Sequence, residues 1–352
     1  IIRSGTTIGQ EWITKATSLR VIGRAGVGVD NVDIPAATKR GILVLNAPAG
    51  NTLSTAEHTM AMLLSIARRI PSAKASLKAG KWDRKSFTGS ELYGKTLGIV
   101  GLGKIGKEVA SRAQAFGMRV VGSDPVLTRE AAERISVDLI EVDELITTSD
   151  FISVHTPLVA ATRGLLNDES LQRCKRGVGI INCARGGIVD EAALLRALES
   201  GQVGGAGLDV YSSEPPPEDL QQLLAHPNVV CTPHIAASTD EAQEKVARQV
   251  TEQVIHALKG EPVQTAVNAM ASKMAAQAEV KPYIVLAERL GAASRQLFKG
   301  TAESVRIRCH GDVPRRYLDV LRISALKGFL QHSWTESVNL VNAPVIAEEA
   351  GI

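Results

Sequence analysis

The sequence predicts an α/β protein built on a doubly wound, Rossmann-type parallel sheet. Three observations carry this. Short β-rich runs alternate with helical patterns along most of the 352 residues, the mark of βαβ units. Hydrophobic residues make up 44% of the chain but aromatics only 3%, so the core is aliphatic, as in sheets covered on both faces. A glycine-rich turn, Gly101-Leu102-Gly103-Lys104-Ile105-Gly106, stands between a strand pattern and a helix pattern.

Taken in order, β-rich runs at 19–23 and 42–45 come first. Ser54-Thr55-Ala56-Glu57 then reads as a capping box. Its helix carries an apolar stripe through Met60, Leu63, Leu64 and Ala67, and Arg68, Arg69 and Pro71 close it. Further strand patterns stand at 97–100, 119–122, 151–154, 178–182, 206–210 and 229–231. Ser238-Thr239-Asp240-Glu241 reads as a second box, whose helix runs to Lys259 and stops at Gly260. Both long helices are expected to connect domains. From about 266 the composition changes to an Ala-rich helix, with strand patterns at 305–309 and 338–341.

The expected organisation is therefore threefold. A dinucleotide-binding domain covers 48–235. A smaller, discontinuous α/β substrate domain is made of 1–47 and 236–265. Residues 266–352 form part of a third, α+β domain. The chain opens without Met and is read as a piece of a longer protein.

Composition excludes several classes. Net charge is +3, too small and scattered for a nucleic-acid surface. The apolar run 60–64 is far below the roughly 18 residues of a membrane span. The cysteines at 174, 183, 231 and 309 have no CxxC pairing, which argues against a disulfide framework or a metal site and for a reducing, cytoplasmic setting. Neither nucleic acid nor membrane is expected as a partner.

The chemistry centres on the turn at 101–106. Gly101 permits the tight turn, Gly103 lets a pyrophosphate approach the backbone, and Gly106 lets the helix pack on the strand. Lys104 and Ile105 open that helix, whose N–H groups suit phosphate. Asp124 follows the next strand, 23 residues after Gly101; a carboxylate there binds ribose hydroxyls and repels a 2′-phosphate. NAD is therefore expected as cofactor rather than NADP. Gly23-Arg24-Ala25-Gly26-Val27-Gly28 is also glycine-rich, but its spacing fails. It reads as a structural turn or as a cleft-lining loop that presents Arg24.

Three residues stand just past strand patterns. Arg185 lies in Asn182-Cys183-Ala184-Arg185-Gly186-Gly187. Its fork suits a carboxylate, although a surface ion pair is an equal reading. Glu214 precedes prolines, and His234 follows Thr232-Pro233. Each alone has a plain loop reading; together they make a histidine base held by a carboxylate. Thr156, after His155, is a possible cofactor contact. The other histidines, at 58, 155, 226, 256, 310 and 332, are taken as structural.

These residues together resemble the D-isomer-specific 2-hydroxyacid dehydrogenases. The resemblance rests on Gly23 to Asp33, 97–106, Asn182 to Glu191, Leu208-Asp209-Val210 through Glu214-Pro215, and Pro233-His234, and it spans nearly the whole chain. It implies that Arg185 binds the substrate carboxylate, that His234 is the acid/base, and that Glu214 holds it. It implies that Asp124 takes the adenosine ribose, and that Thr156, Cys183 and Asp209 line the cofactor. Arg3, Ser4, Arg24 and Asn51 stand where members acting on a phosphorylated 2-hydroxy acid carry polar groups. Arg84 is implied to reach a neighbouring subunit's site in a homodimer or homotetramer, with 53–69 as the dimer-forming segment. Val27 departs from the Thr that relatives often carry. The resemblance further implies that the first strands of the substrate domain and a terminal small-molecule-binding domain lie outside the chain. Two alternatives share the pattern: a dehydrogenase of another 2-oxo acid such as hydroxypyruvate or glyoxylate, and an NAD-sensing, corepressor-like binding protein. The tail from 266 favours the metabolic enzyme.

Overall fold

A computed structural model describes the chain except for residues 270–273, 276, 299 and 332–336. His332 is outside the described residues. Two compact units divide the chain, one made of 1–51 and 243–352, the other of 52–242. The region from 266 groups by contact with the first unit. Among the described residues no helix is long and apolar enough to cross a membrane.

In the discontinuous unit, β1 (Val21–Gly23) and β2 (Leu43–Leu45) pair in parallel. The helices Gln10–Lys15 and Ile34–Lys39 flank them, around a core of Ile13, Ile22, Val32, Ala37, Ile42 and Val44. The second helix is fixed by the Asp33 carboxylate, which accepts from the Ala36 amide at 3.0 Å, and by Pro35 in its first turn. Farther along, helices Lys281–Leu297 and Leu318–Leu330 lie side by side. A Cβ on Gly291 would sit 2.0 Å from the Ala325 carbonyl, and one on Gly328 would sit 1.9 Å from that of Glu288. Only glycine allows backbones to approach so closely.

The strands expected at 305–309 and 338–341 do not form. Val305, Ile307 and Cys309 are half-buried between exposed Arg306 and Arg308, so the alternation is real, but no strand pairs with them among the described residues. Residues 338–341 are turned instead by Asn side chains: Asn339 accepts from the Val341 amide at 2.8 Å, and Asn342 from that of Asn339 at 2.7 Å. The regular elements described in this region are helices, joined by loops.

The second unit holds the main sheet. Its seven strands are all parallel, in the order β5-β4-β3-β6-β7-β8-β9. They are β3 (Thr96–Val100), β4 (Arg119–Ser123), β5 (Asp138–Leu139), β6 (Phe151–Val154), β7 (Val178–Asn182), β8 (Val203–Leu208) and β9 (Val229–Cys231). The two-residue β5 is the one strand the sequence pattern misses. Side chains alternate between two cores: Leu97, Ile99, Val120 and Ile181 meet helices Thr52–Ala67 and Lys104–Ala115, while Val100, Val121 and Ile180 meet the other face. The strand order reverses between β3 and β6, and such a switch point opens a ligand crevice at the strands' carboxyl ends.

Two helix starts differ from expectation. The first long helix begins at Thr52, not at a Ser54 cap. Ser54 Oγ instead lies 2.7 Å from Thr239 Oγ1, so tertiary bonding takes the side chain that local capping would use. This helix lies within the second unit rather than connecting two. The helix Asp240–Leu258 is capped by Thr239, which accepts from the Ala242 amide at 3.2 Å, one residue later than the Ser238 box implies.

Candidate active site and dinucleotide site

The dinucleotide loop forms as its glycines require. Gly101 has φ +94, and a Cβ there would sit 2.7 Å from the His155 carbonyl. A Cβ on Gly106 would come within 2.1 Å of the Gly101 carbonyl, while around Gly103 the space is open. The helix Lys104–Ala115 starts beyond Gly103 with no side-chain cap, so its amides face outward for an anion. Lys104 is exposed and Ile105 half-buried. Asp124 accepts from the Leu102 amide at 2.8 Å with one oxygen, and from Val126 and Leu127 at 2.8 and 3.0 Å with the other. This carboxylate therefore also braces the loop. The crevice fits a dinucleotide.

Next to this loop, His155 donates its amide to the Val100 carbonyl at 2.7 Å. Its Nε2 lies 2.8 Å from Ser153 Oγ, and burial pushes the imidazole pKa down to about 4. The Thr156 hydroxyl is buried without a hydrogen-bond partner. Cys183 is buried, and burial followed by the nearby Asp209 charge pushes its thiol up to about 12, which leaves it inert.

Arg185, Glu214 and His234 stand beyond the carboxyl ends of the neighbouring strands β7, β8 and β9. His234 Nδ1 is 2.7 Å from Glu214 Oε2. Glu214 Oε1 in turn accepts from the Tyr211 amide at 3.2 Å. Arg185 is half-buried, and its Nη1 donates to the Ala184 carbonyl at 2.7 Å. Asn182 ties the loop by donating to the Arg185 carbonyl at 2.9 Å and accepting from the Ala184 amide at 3.0 Å. A Cβ on Gly186 would lie 1.8 Å from the Tyr211 carbonyl oxygen, so the Arg185 loop abuts the segment that leads to Glu214. His234 has φ 53, in the left-handed region. That conformation is uncommon outside glycine and needs support from its surroundings.

The support comes from Asp209, which the resemblance sets along the cofactor. Its side chain is wholly buried. Oδ1 accepts from Thr232 Oγ1 at 2.6 Å and from the Ile235 amide at 2.8 Å, and Oδ2 from the Ala236 amide at 2.9 Å. Burial pushes its pKa up, but hydrogen bonds from His58, Thr232 and the two amides more than offset this and hold it below the ordinary carboxylate range. Tyr211 adds a second brace, donating from its hydroxyl to the Thr232 carbonyl at 2.9 Å. Sequence reading missed the roles of Thr232, Tyr211 and His58. The available signal was Thr232 in Thr-Pro-His and Tyr211 just past a strand, which sets no partner.

The substrate-side candidates fall in the other unit, apart from Arg84. Arg3 and Arg24 are neighbours there, because Ile2 bridges Arg24 and accepts from the Ala25 amide at 2.8 Å. Arg3 donates to Gln243, and Arg24 to the Ala25 carbonyl at 3.2 Å. Ser4 is exposed, and Asn51 has a buried Oδ1 with no partner. Arg84 is exposed in the second unit.

Comparison with known proteins gives the family. The model for the D-isomer specific 2-hydroxyacid dehydrogenase NAD binding domain matches residues 60–236, and that for the D-3-phosphoglycerate dehydrogenase intervening domain matches 279–352. D-3-phosphoglycerate dehydrogenase of Bacillus subtilis is 49% identical over all of this chain and 67% of its own length. That of Rattus norvegicus is 47% identical over all of this chain and 66% of its own. The chain thus spans about two thirds of these relatives. Among solved structures, D-lactate dehydrogenase from Aquifex aeolicus, complexed with NAD and lactic acid, is 34% identical with a TM-score of 0.69, over 74% of this chain and 84% of that one. A glyoxylate reductase from Paecilomyes thermophila is 37% identical with a TM-score of 0.68, over 74% and 79%. The chain belongs to the D-isomer-specific 2-hydroxyacid dehydrogenase family, and its dinucleotide site is an NAD site.

Proposed function

We propose that this chain oxidises D-3-phosphoglycerate to 3-phosphohydroxypyruvate with NAD, the first step of the phosphorylated route to serine. The observation that carries the reading is the His234–Glu214 pair at 2.7 Å, set two strands from Arg185. Relatives of that name match the chain from end to end.

Arg185 binds the substrate carboxylate and draws the C2 oxygen toward His234. His234 takes the hydroxyl proton at Nε2, because Nδ1 is committed to Glu214. Glu214 fixes the ring orientation and stabilises the imidazolium that results. NAD held at the dinucleotide site would supply the acceptor for the C2 hydride. In the reverse direction His234 returns the proton to the forming hydroxyl. Gly101, Gly103, Lys104, Ile105 and Gly106 cradle the pyrophosphate, Asp124 takes the ribose, and Thr156 and Cys183 line the cofactor. Asp209 holds the loop that carries His234. Arg3, Ser4, Arg24 and Asn51 supply the polar groups for the substrate phosphate.

The active form is proposed to be a cytoplasmic homo-oligomer. Helix Ile70–Lys78 buries none of its residues, and Ile70, Leu77, Trp82 and Tyr93 are exposed on that stretch. Exposed apolar side chains of this kind suit a second subunit, and Arg84 stands between Trp82 and Tyr93 in the sequence. The four described cysteines are unpaired, as in a reducing compartment.

The test is NADH oxidation with phosphohydroxypyruvate beside unphosphorylated hydroxypyruvate. A strong preference for the phosphorylated acid is expected, lost on Arg3→Ala or Arg24→Ala. Equal or reversed rates would move the substrate within the family.

A further inference from the structure

His58 stands on helix Thr52–Ala67, outside the strand ends that carry Arg185, Glu214 and His234. Its Nε2 is 3.1 Å from the Thr232 hydroxyl and 3.4 Å from Asp209 Oδ1. The direction of each hydrogen bond follows from what the groups can do. An ionised carboxylate only accepts, so Thr232, 2.6 Å from Asp209 Oδ1, gives its single proton there. The hydroxyl must then accept from His58, which makes the imidazole the Nε2–H tautomer. Asp209 also accepts from the Ile235 amide with Oδ1 and from the Ala236 amide with Oδ2. The relay from His58 through Thr232 and Asp209 thus closes around the backbone of His234, at φ 53.

We propose that His58 is a positioning residue for His234, acting through Thr232 and Asp209. The inference rests on His234 being the acid/base of the proposed reaction. Without the imidazole donor, the Thr232 hydroxyl is free to rotate away from Asp209. The carboxylate then keeps only the two amides, and the left-handed turn loses part of its support. A donor of similar reach, such as a glutamine amide, would keep the relay.

The experiment compares His58→Leu, His58→Gln and Thr232→Val with the unaltered chain. Three quantities are read: NADH affinity by fluorescence, deuterium exchange at the Ile235 and Ala236 amides, and kcat and KM with phosphohydroxypyruvate. In His58→Leu, exchange at both amides should rise about tenfold and kcat fall about fivefold, with NADH affinity and KM within about twofold. His58→Gln should restore both, and Thr232→Val, which leaves the helix untouched, should reproduce the loss. Unchanged exchange and kcat in the leucine and valine variants would overturn the proposal, as would a glutamine variant as impaired as the leucine one. Exchange and NADH binding need no substrate, so a wrong choice of acid in the assay is distinguishable from a wrong role for His58.

Discussion

His234 Nδ1 lies 2.7 Å from Glu214 Oε2, and Glu214 Oε1 accepts from the backbone of Tyr211 at 3.2 Å. The carboxylate is thus divided between orienting a ring and holding to its own strand end. Both side chains remain partly open to solvent, 45% and 38% exposed. The pair therefore acts by orientation more than by stabilising the fold.

Glu214→Ala should lower kcat by about one hundredfold, in the range of a lost general-acid/base arrangement. NADH affinity and melting temperature should barely move. Steady-state kinetics beside NADH fluorescence titration checks this, and a kcat near the unaltered value would remove Glu214 from the reaction.

Asp124→Ala should weaken NADH binding and narrow the preference over NADPH. The change removes the acceptor for the Leu102, Val126 and Leu127 amides as well as the charge that repels a 2′-phosphate. Kd values for both dinucleotides decide the point. An unchanged ratio would mean that selectivity resides elsewhere.

Gly186→Ala should be severely destabilising, by about 3 kcal/mol or more. Its Cβ would fall 1.8 Å from the Tyr211 oxygen and 2.5 Å from the Ser212 nitrogen. Both are backbone atoms, so no side-chain rotation relieves the clash. Thermal or urea denaturation measures the loss.

His155 gives stability a pH dependence of fixed sign. Burial lowers its folded-state pKa from 6.5 to about 4, so between those values the unfolded chain binds more protons. Its contribution is complete above about pH 6.5 and is lost as pH falls toward 4, by at most about 3 kcal/mol. His155→Asn should flatten the fall of melting temperature across that window, and an unchanged slope would contradict the assignment.

Much of the site was legible in the chain itself. Strand, glycine turn and helix at 96–115 are local, and each glycine answers a local backbone need. The positions of Asp124, Arg185, Glu214 and His234 follow from strand ends that alternation and small residues mark. What a strand does, however, depends on a partner distant in sequence. Residues 305–309 alternate correctly yet pair with nothing described, while the two-residue β5 pairs with β4 at Val121 and Gly122.

Tertiary structure alone decided where the polar side chains spend their hydrogen bonds. Ser54 reads as a cap but meets Thr239, 185 residues away. Asp209, which the resemblance sets along the cofactor, binds the Thr232, Ile235 and Ala236 donors, a set of partners that its place in the sequence does not name. The sequence lists the donors and acceptors of the site, and only folding, which brings remote groups within hydrogen-bond distance and excludes water, settles which of them pair.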